Sequence, residues 1–323
     1  MLHLRLCLSE RAPLLVALLL SVGAAPAAEP EPAPSSQQTR ESFCVVGYLP
    51  EYRLDAFELS SSALTDLIFF SLEPGPNGDI NSQSLTPDAL KKLQAVKQRN
   101  KLRLLATVGG WGRSKGFAPM ATDARTRKQF IENLVRFCLQ NEFDGIDFDW
   151  EHPENQKEEQ AYADLIVETH QAFRPRGLLV TVALAAWQRV EPRALAAADR
   201  IHLMAYDHDG PKHSTPQRAR ADVEQLMKRG ARREKICLGL PFYGRDMANR
   251  GQTMTYAQIL ARYKPQPAAD EAGGIYFNGP ETIRQKTRYA RDEGLAGVMI
   301  WELGQDAPGD DSLLRAIRQV PPK

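Results

Sequence analysis

Eight short runs of aliphatic, β-branched and aromatic residues recur along the chain, separated by longer amphipathic stretches. That alternation limits the fold more than any other feature. The runs fall at 43–48 (FCVVGY), 66–71 (DLIFFS), 102–108 (LRLLATV), 143–149 (FDGIDFD), 178–184 (LLVTVAL), 201–206 (IHLMAY), 235–240 (KICLGL) and 296–301 (AGVMIW). Helical spacing predicts helices over 87–99, 123–141, 156–173, 191–198, 216–230, 280–293 and 311–319, with a shorter one between the first two strands. Strands this apolar on both faces belong in a parallel sheet covered by helices. Eight such β/α units between residues 43 and 323 predict an α/β protein, a closed (β/α)8 TIM barrel. The alternative, a doubly wound sheet, usually carries a Gly-rich phosphate turn after its first strand. Gly47-Tyr48-Leu49-Pro50 is not one.

Two segments precede this pattern. Arg5 and Arg11 flank a charged region, Ala12 to Leu20 is apolar, and Ala25-Pro26-Ala27 is an A-x-A-like cleavage site. These features predict a signal peptide over 1–28, cleaved near Ala27 or Ala28, because the apolar run is short for a bilayer span. Residues 29–42 are Pro- and Ser-rich and read as a disordered linker. The expected product is secreted or extracytoplasmic (periplasm or cell surface) and a monomer, with no membrane attachment after cleavage. The whole chain has a net charge of +1. Removing the signal takes two arginines and one glutamate and leaves it neutral, so no global field attracts nucleic acid or an anionic membrane. Once Cys7 leaves with the signal, three cysteines remain. An odd count argues against a disulfide framework. Cys44, Cys138 and Cys237 are expected to be buried thiols, with a single disulfide as the alternative.

A barrel places its chemistry at the C-terminal ends of its strands. Tyr48, Gly109-Gly110-Trp111, Asp149, Glu151, Tyr206-Asp207, Tyr243 and Trp301 all fall there. The most unusual strand is FDGIDFDWEHP, residues 143–153, which threads four acids through large apolar residues. Burying a carboxylate costs several kcal/mol, roughly, unless it is paired or protonated. Side chains alternate along a strand, so Asp147, Asp149 and Glu151 share the face toward the barrel interior, while Phe148 and Trp150 face the helices. Carboxylates this close in a low dielectric cannot all ionise, and one pKa rises. Asp147 is placed to share a proton with Asp149, and Glu151, at the rim, is the candidate general acid. Asp144 has the other parity and reads as structural. Two other readings are acids paired with buried Arg or Lys, and a Mg²⁺ or Ca²⁺ site. No further ligand cluster is apparent, so no metal and no cofactor are expected.

Asp144-Gly145-Ile146-Asp147-Phe148-Asp149-Trp150-Glu151 resembles the DGxDxDxE signature of glycoside hydrolase family 18, the chitinase family. Val108-Gly109-Gly110-Trp111 resembles its third-strand GG motif, although Thr107 stands where Ser is more usual. Met204-Ala205-Tyr206-Asp207 resembles MxYD, Leu238 to Arg245 resembles LGxPxYGR, and Val298 to Glu302 resembles GVMIWE. The matches run in family order over nearly the whole chain after residue 43. The resemblance implies retaining, substrate-assisted hydrolysis of an N-acetylglucosamine-containing oligo- or polysaccharide, with no enzyme nucleophile. Glu151 would be the acid/base. Asp149 would hold the acetamide N–H, Asp147 would hold Asp149, and Tyr206 would orient the acetamide oxygen. Trp301 resembles the floor of the sugar site. Asp207, Tyr243, Tyr48, Trp111, Gly110, Met204 and Arg245 complete the expected substrate-binding set, with Arg245 either bonding sugar hydroxyls or pairing with a carboxylate.

In the connection between the seventh and eighth strands, Gly244 to Leu295 is only 52 residues, too few for the α+β module that walls many deep-cleft chitinases. A shallow, open cleft and endo cleavage follow as expectations. The alternatives are an endo-β-N-acetylglucosaminidase acting on N-glycans or cell-wall glycan, and a glycan-binding lectin. The lectin is disfavoured because Asp149 and Glu151 are both present. His202 reads as lower barrel filling, and His208 and Asp209 as residues near the cleft. The basic run Arg218 to Lys235 reads as a solvated helix face.

Overall fold

The computed structural model describes residues 43–54 and 64–322. The predicted signal peptide and linker lie outside these residues. Most of the helix expected between the first two strands does too, and only a single turn, Glu51–Arg53, is described there.

The eight predicted strands are present: β1 (Cys44–Pro50), β2 (Asp66–Pro74), β3 (Arg103–Gly109), β4 (Gly145–Asp149), β5 (Leu179–Leu184), β6 (Arg200–Leu203), β7 (Ile236–Pro241) and β8 (Gly297–Trp301). Each pairs in parallel with the next. Cys44 to Gly47 of β1 then pairs with Gly297 to Ile300 of β8 and closes the barrel. The helices between strands are α1 (Pro87–Asn100), α2 (Phe117–Ala121), α3 (Ala124–Asn141), α4 (Gln156–Phe173), α5 (Pro192–Ala197), α6 (Pro216–Lys228), α7 (Tyr256–Tyr263) and α8 (Pro280–Asp292). They are followed by α9 (Leu313–Arg318). Their starts have a local cause. Thr86, Asp123, Asn155 and Thr215 each accept a backbone N–H from the first turn of α1, α3, α4 and α6, worth about 1 kcal/mol apiece.

Strand alternation sorts the apolar residues into two layers. Cys44, Val46, Tyr48, Ile68, Phe70, Leu105, Cys237 and Met299 pack together inside the barrel. The residues of opposite parity, including Val45, Leu49, Leu67, Phe69, Ile146 and Phe148, pack outward against the helices. Trp150 faces that outer layer as expected. Its indole stacks on Phe117 of α2 at 5.0 Å and meets Tyr162 of α4 edge-on at 5.4 Å. At the base of the barrel, Asp66 binds Arg200 at 2.9 Å and Arg103 at 2.6 Å. The three cysteines inside the described region are buried, and Cys138 and Cys237 are free thiols.

Two features depart from simple periodicity. The sixth strand stops at Leu203 and does not reach Tyr206, because Ala205 N–H turns back onto the Leu203 carbonyl at 2.8 Å. Asp207 then takes a left-handed conformation, φ 59°. Tyr206 and Asp207 therefore sit on a loop beyond the strand. Between β7 and β8 the insertion forms α7 and a small antiparallel sheet, in the order Thr253–Thr255, Tyr243–Asp246, Ile275–Tyr276, Glu271–Ala272. It is the short insertion the chain length requires. Among the described residues, no helix is long and apolar enough to cross a membrane.

Candidate active site

The acid strand β4 lies between two strands that carry threonine in the same row: Thr107 and Thr181 both stand in register with Asp147. The Thr181 hydroxyl donates to Asp147 Oδ1 at 2.6 Å, and that of Thr107 to Oδ2 at 3.2 Å. From across the barrel the Tyr48 hydroxyl donates to Oδ2 at 2.7 Å. His202 Nδ1 lies 3.0 Å from Oδ1 and 2.8 Å from the Tyr48 oxygen. A fully buried carboxylate thus has three hydroxyl donors and an imidazole around it, which is what burial of a charge requires. The reading of His202 as plain barrel filling missed this contact. Its parity with Met204 and Tyr206 was the available signal.

One step up the strand, Asp149 is buried and its Oδ1 has no hydrogen-bond partner among the described residues. Burial first, then the negative charges of Glu151 and Asp147, raise its pKa well above the ordinary carboxylate range. Its backbone is clamped by the turn that ends β3. Gly110 N–H donates to the Asp149 carbonyl at 2.7 Å. The Ser114 hydroxyl lies 3.2 Å from that carbonyl and accepts Glu151 N–H at 3.1 Å. The turn needs both glycines. Gly109 and Gly110 have φ of 98° and 101°. A Cβ on Gly109 would lie 2.4 Å from the Asp149 carbonyl oxygen, and one on Gly110 2.2 Å from the Phe70 ring.

Glu151 follows at the rim, half-buried. Burial and the negative charge of Asp207 raise its pKa to about 7, although the Trp111 backbone N–H bonds the carboxylate and pulls it down. A substantial share of the group therefore keeps its proton near neutral pH. His152 Nε2 stands 3.5 Å from Glu151 Oε2, and its Nδ1 meets Gln188 Oε1 at 3.1 Å. Burial lowers the His152 pKa, so that ring is neutral beside Glu151.

The loop after β6 supplies Tyr206 and Asp207. Arg245 binds the Asp207 carboxylate through both oxygens, at 2.5 and 2.7 Å, and Tyr243 donates to it at 2.6 Å. Burial alone would raise the Asp207 pKa. Contacts from His213, Arg245 and Tyr243 outweigh it and hold the carboxylate far below its usual range. Arg245 is thus engaged with a carboxylate, one of the two roles open to it. Arg250 of the insertion holds the Asp207 and His208 carbonyls and the Asp209 carboxylate.

Trp301 ends β8 as a half-exposed indole, edge-on to Phe70 at 4.7 Å and to Tyr48 at 5.8 Å. Tyr48 itself is buried. The Tyr206 hydroxyl lies 3.8 Å from Met299 Sδ, and Met204 is half-buried nearby on the same loop. Trp111 stands out at 81% exposed. Trp187, 61% exposed and packed on His152 at 4.6 Å, is a second exposed indole that residue patterning did not single out. Ser114, Phe70 and His213 escaped the sequence reading too, because none of them carries a local pattern.

A closed parallel barrel whose C-terminal mouth gathers a proton-holding carboxyl, a row of buried acids and exposed indoles is built as a glycoside hydrolase. The chain belongs to the glycosyl hydrolases family 18, whose model matches residues 39–306. It is 28% identical to Chitinase 1 of Aphanocladium album over 288 residues, 71% of this chain and 68% of that protein. It is 25% identical to Probable chitinase 2 of Drosophila melanogaster over 284 residues, 67% of this chain but only 59% of that protein. Among solved structures, the GH18 chitinase ChiB from the chitin utilization locus of Flavobacterium johnsoniae superposes with a TM-score of 0.77. That match has 30% identity and covers 86% of this chain and 93% of that one.

Proposed function

We propose that this protein is an exported, monomeric chitinase-like enzyme that cleaves β-1,4-linked N-acetylglucosamine polymers with retention of configuration. The observation that carries the reading is the placement of Glu151 at the rim, its pKa raised to about 7, beside a buried Asp149 whose Oδ1 has no partner among the described residues. A sugar ring seated on Trp301 presents its glycosidic oxygen to Glu151, which donates its proton as the bond breaks. The 2-acetamido oxygen of that sugar attacks its own anomeric carbon, so no enzyme nucleophile is needed. Asp149 accepts the acetamide N–H and offsets the positive charge that develops. Asp147, fixed by Tyr48, Thr107, Thr181 and His202, stabilises Asp149 as its proton moves. The Tyr206 hydroxyl orients the acetamide oxygen. Glu151, now ionised, takes a proton from the water that opens the ring intermediate.

Trp111, Tyr243, Arg245, Asp207, Gly110 and Met204 form the sugar-binding wall in this reading, and Tyr48 backs the Trp301 floor. The short insertion leaves the cleft low on one side, which favours internal cleavage over processive action. The test is turnover of N-acetylglucosamine tetramers to hexamers by the purified protein and by Glu151→Gln, with products resolved by length and anomer. Internal cleavage to β-anomers, lost in Glu151→Gln, supports the reading. Full activity in Glu151→Gln or initial α-anomer products overturn it. Oligomer binding without cleavage would indicate a lectin, and cleavage of N-glycans alone the endo-β-N-acetylglucosaminidase.

A further inference from the structure

Away from the acids, a lysine is buried where no charge is needed for packing. Lys286 lies on α8 and is 1% exposed. Its ammonium uses three hydrogen bonds: to the Ser214 carbonyl at 3.0 Å, the Ser214 hydroxyl at 2.7 Å and Asn278 Oδ1 at 2.7 Å. Enclosing an ammonium carries a large desolvation penalty before its partners offset it. A methionine would fill similar space without that penalty.

Ser214 is the point on which this corner of the molecule converges. Its carbonyl also accepts Asn278 Nδ2 at 2.8 Å and the Tyr276 hydroxyl at 3.3 Å, and its own hydroxyl donates to the Ala205 carbonyl at 2.8 Å. Two hydrogen bonds therefore connect α8 to the residue preceding Tyr206. The neighbour of Ser214 in sequence, His213, packs between Tyr243 at 5.1 Å and Tyr276 at 5.8 Å, with Nδ1 3.4 Å from Asp207 Oδ1. Farther along the same loop, His208 is tied to the His213 carbonyl at 2.9 Å and to Asp222 of α6 at 2.6 Å.

We propose that Lys286 is a positioning residue for hydrolysis: anchored on Ser214, it holds the 204–215 segment so that Tyr206 and Asp207 keep their places at the barrel mouth. The proposal rests on Glu151 being the proton donor. Loosened at Ser214 and Ala205, the segment holds Asp207 less firmly even with Arg245, Tyr243 and Arg250 in place, and the proton affinity of Glu151 falls with the weaker field of that charge. Burial lowers the Lys286 pKa itself to about 7, against the pull of Asp270 and Asp222, with His208 and His213 close by on the loop. Lys286 and Glu151 thus titrate in the same range, and an activity profile alone would mix them.

The test is a ¹³C NMR titration of glutamate-labelled protein, with the Glu151 carboxyl assigned by its absence in Glu151→Gln, run on wild type, Lys286→Met and Ser214→Ala. The expected result is a lower Glu151 pKa in both variants, and a loss of about tenfold to a hundredfold in kcat/KM, chiefly in kcat. Folded variants with an unchanged Glu151 pKa and unchanged kcat would reduce Lys286 to a structural tie and overturn the proposal. Should Lys286→Met not fold, Ser214→Ala decides it. Should the wild type cleave no oligomer, the hydrolase reading fails, while the titration still tells whether Lys286 sets Glu151.

Discussion

Arg245 grips Asp207 from the insertion, Nε to Oδ1 at 2.5 Å and Nη2 to Oδ2 at 2.7 Å, and so keeps a full negative charge in the mouth of the barrel. That charge is the second cause, after burial, of the raised Glu151 pKa. Asp207→Asn removes it. The carboxyl of Glu151 then ionises more easily, and the acid form needed for protonating the leaving group is lost at lower pH. The alkaline limb of kcat/KM, expected near pH 7 in the wild type, moves to lower pH. A pH–rate profile on a soluble oligomer checks this, and an unmoved or upward-moving limb would contradict it.

Glu151→Gln trades activity for stability. Loss of general-acid catalysis predicts a drop in kcat of about 100-fold or more. The folded pKa is about 7, against a reference of 4.5. Between those values the native state binds the extra proton. The stability this group confers is therefore complete below pH 4.5 and lost as pH rises through 7, leaving a penalty of about 3 kcal/mol at alkaline pH. Glutamine carries no such penalty. Denaturant titrations should show the variant more stable than wild type at pH 8 and level with it below pH 4.5. The same difference at both pH values would sink the argument.

Gly110→Ala should lose both stability and turnover. Its φ of 101° is one that L side chains rarely adopt, and the new methyl would overlap the Phe70 ring that supports Trp301. The expected loss is at least about 2 kcal/mol, read as a lower Tm by calorimetry, with kcat/KM falling beyond what the unfolded fraction explains. Wild-type thermal stability would show that the turn opens freely.

At the base of the barrel, Arg200→Met leaves Asp66 with the more exposed Arg103 and the Thr65 hydroxyl at 2.5 Å. Removing one partner of a buried pair costs about 3–5 kcal/mol. Chemical denaturation should show this, and the pH dependence of kcat should stay as in wild type, since the pair is remote from the mouth. A variant of wild-type stability would mean that Arg103 and Thr65 suffice.

The barrel was legible because its evidence is local and repeated: eight apolar runs alternating with stretches of helical spacing. The acid row was legible because its parity can be counted along one strand. What supports that row could not be counted. Thr107 and Thr181 flank Asp147 through strand register, His202 reaches it from β6, and Ser114 clamps Glu151 from a turn 37 residues earlier. The sixth strand was drawn too long for a related reason. Its apolar run continues to Tyr206, but the backbone turns at Ala205, and composition does not record a hydrogen bond to the residue two before it.

The insertion between β7 and β8 has a practical meaning for anyone wishing to redesign the cleft. Its strand Tyr243–Asp246 bears Tyr243 and Arg245, its tip bears Arg250, and its strand Ile275–Tyr276 leads to Asn278, so each of these parts braces the loop of Asp207. The connection after α7, residues 264–268, is mostly exposed and carries none of those contacts. Lengthening a surface connection costs little in chain entropy, about 0.6 kcal/mol per doubling. Added chain should therefore be grafted there, where it leaves the brace of the Asp207 loop intact.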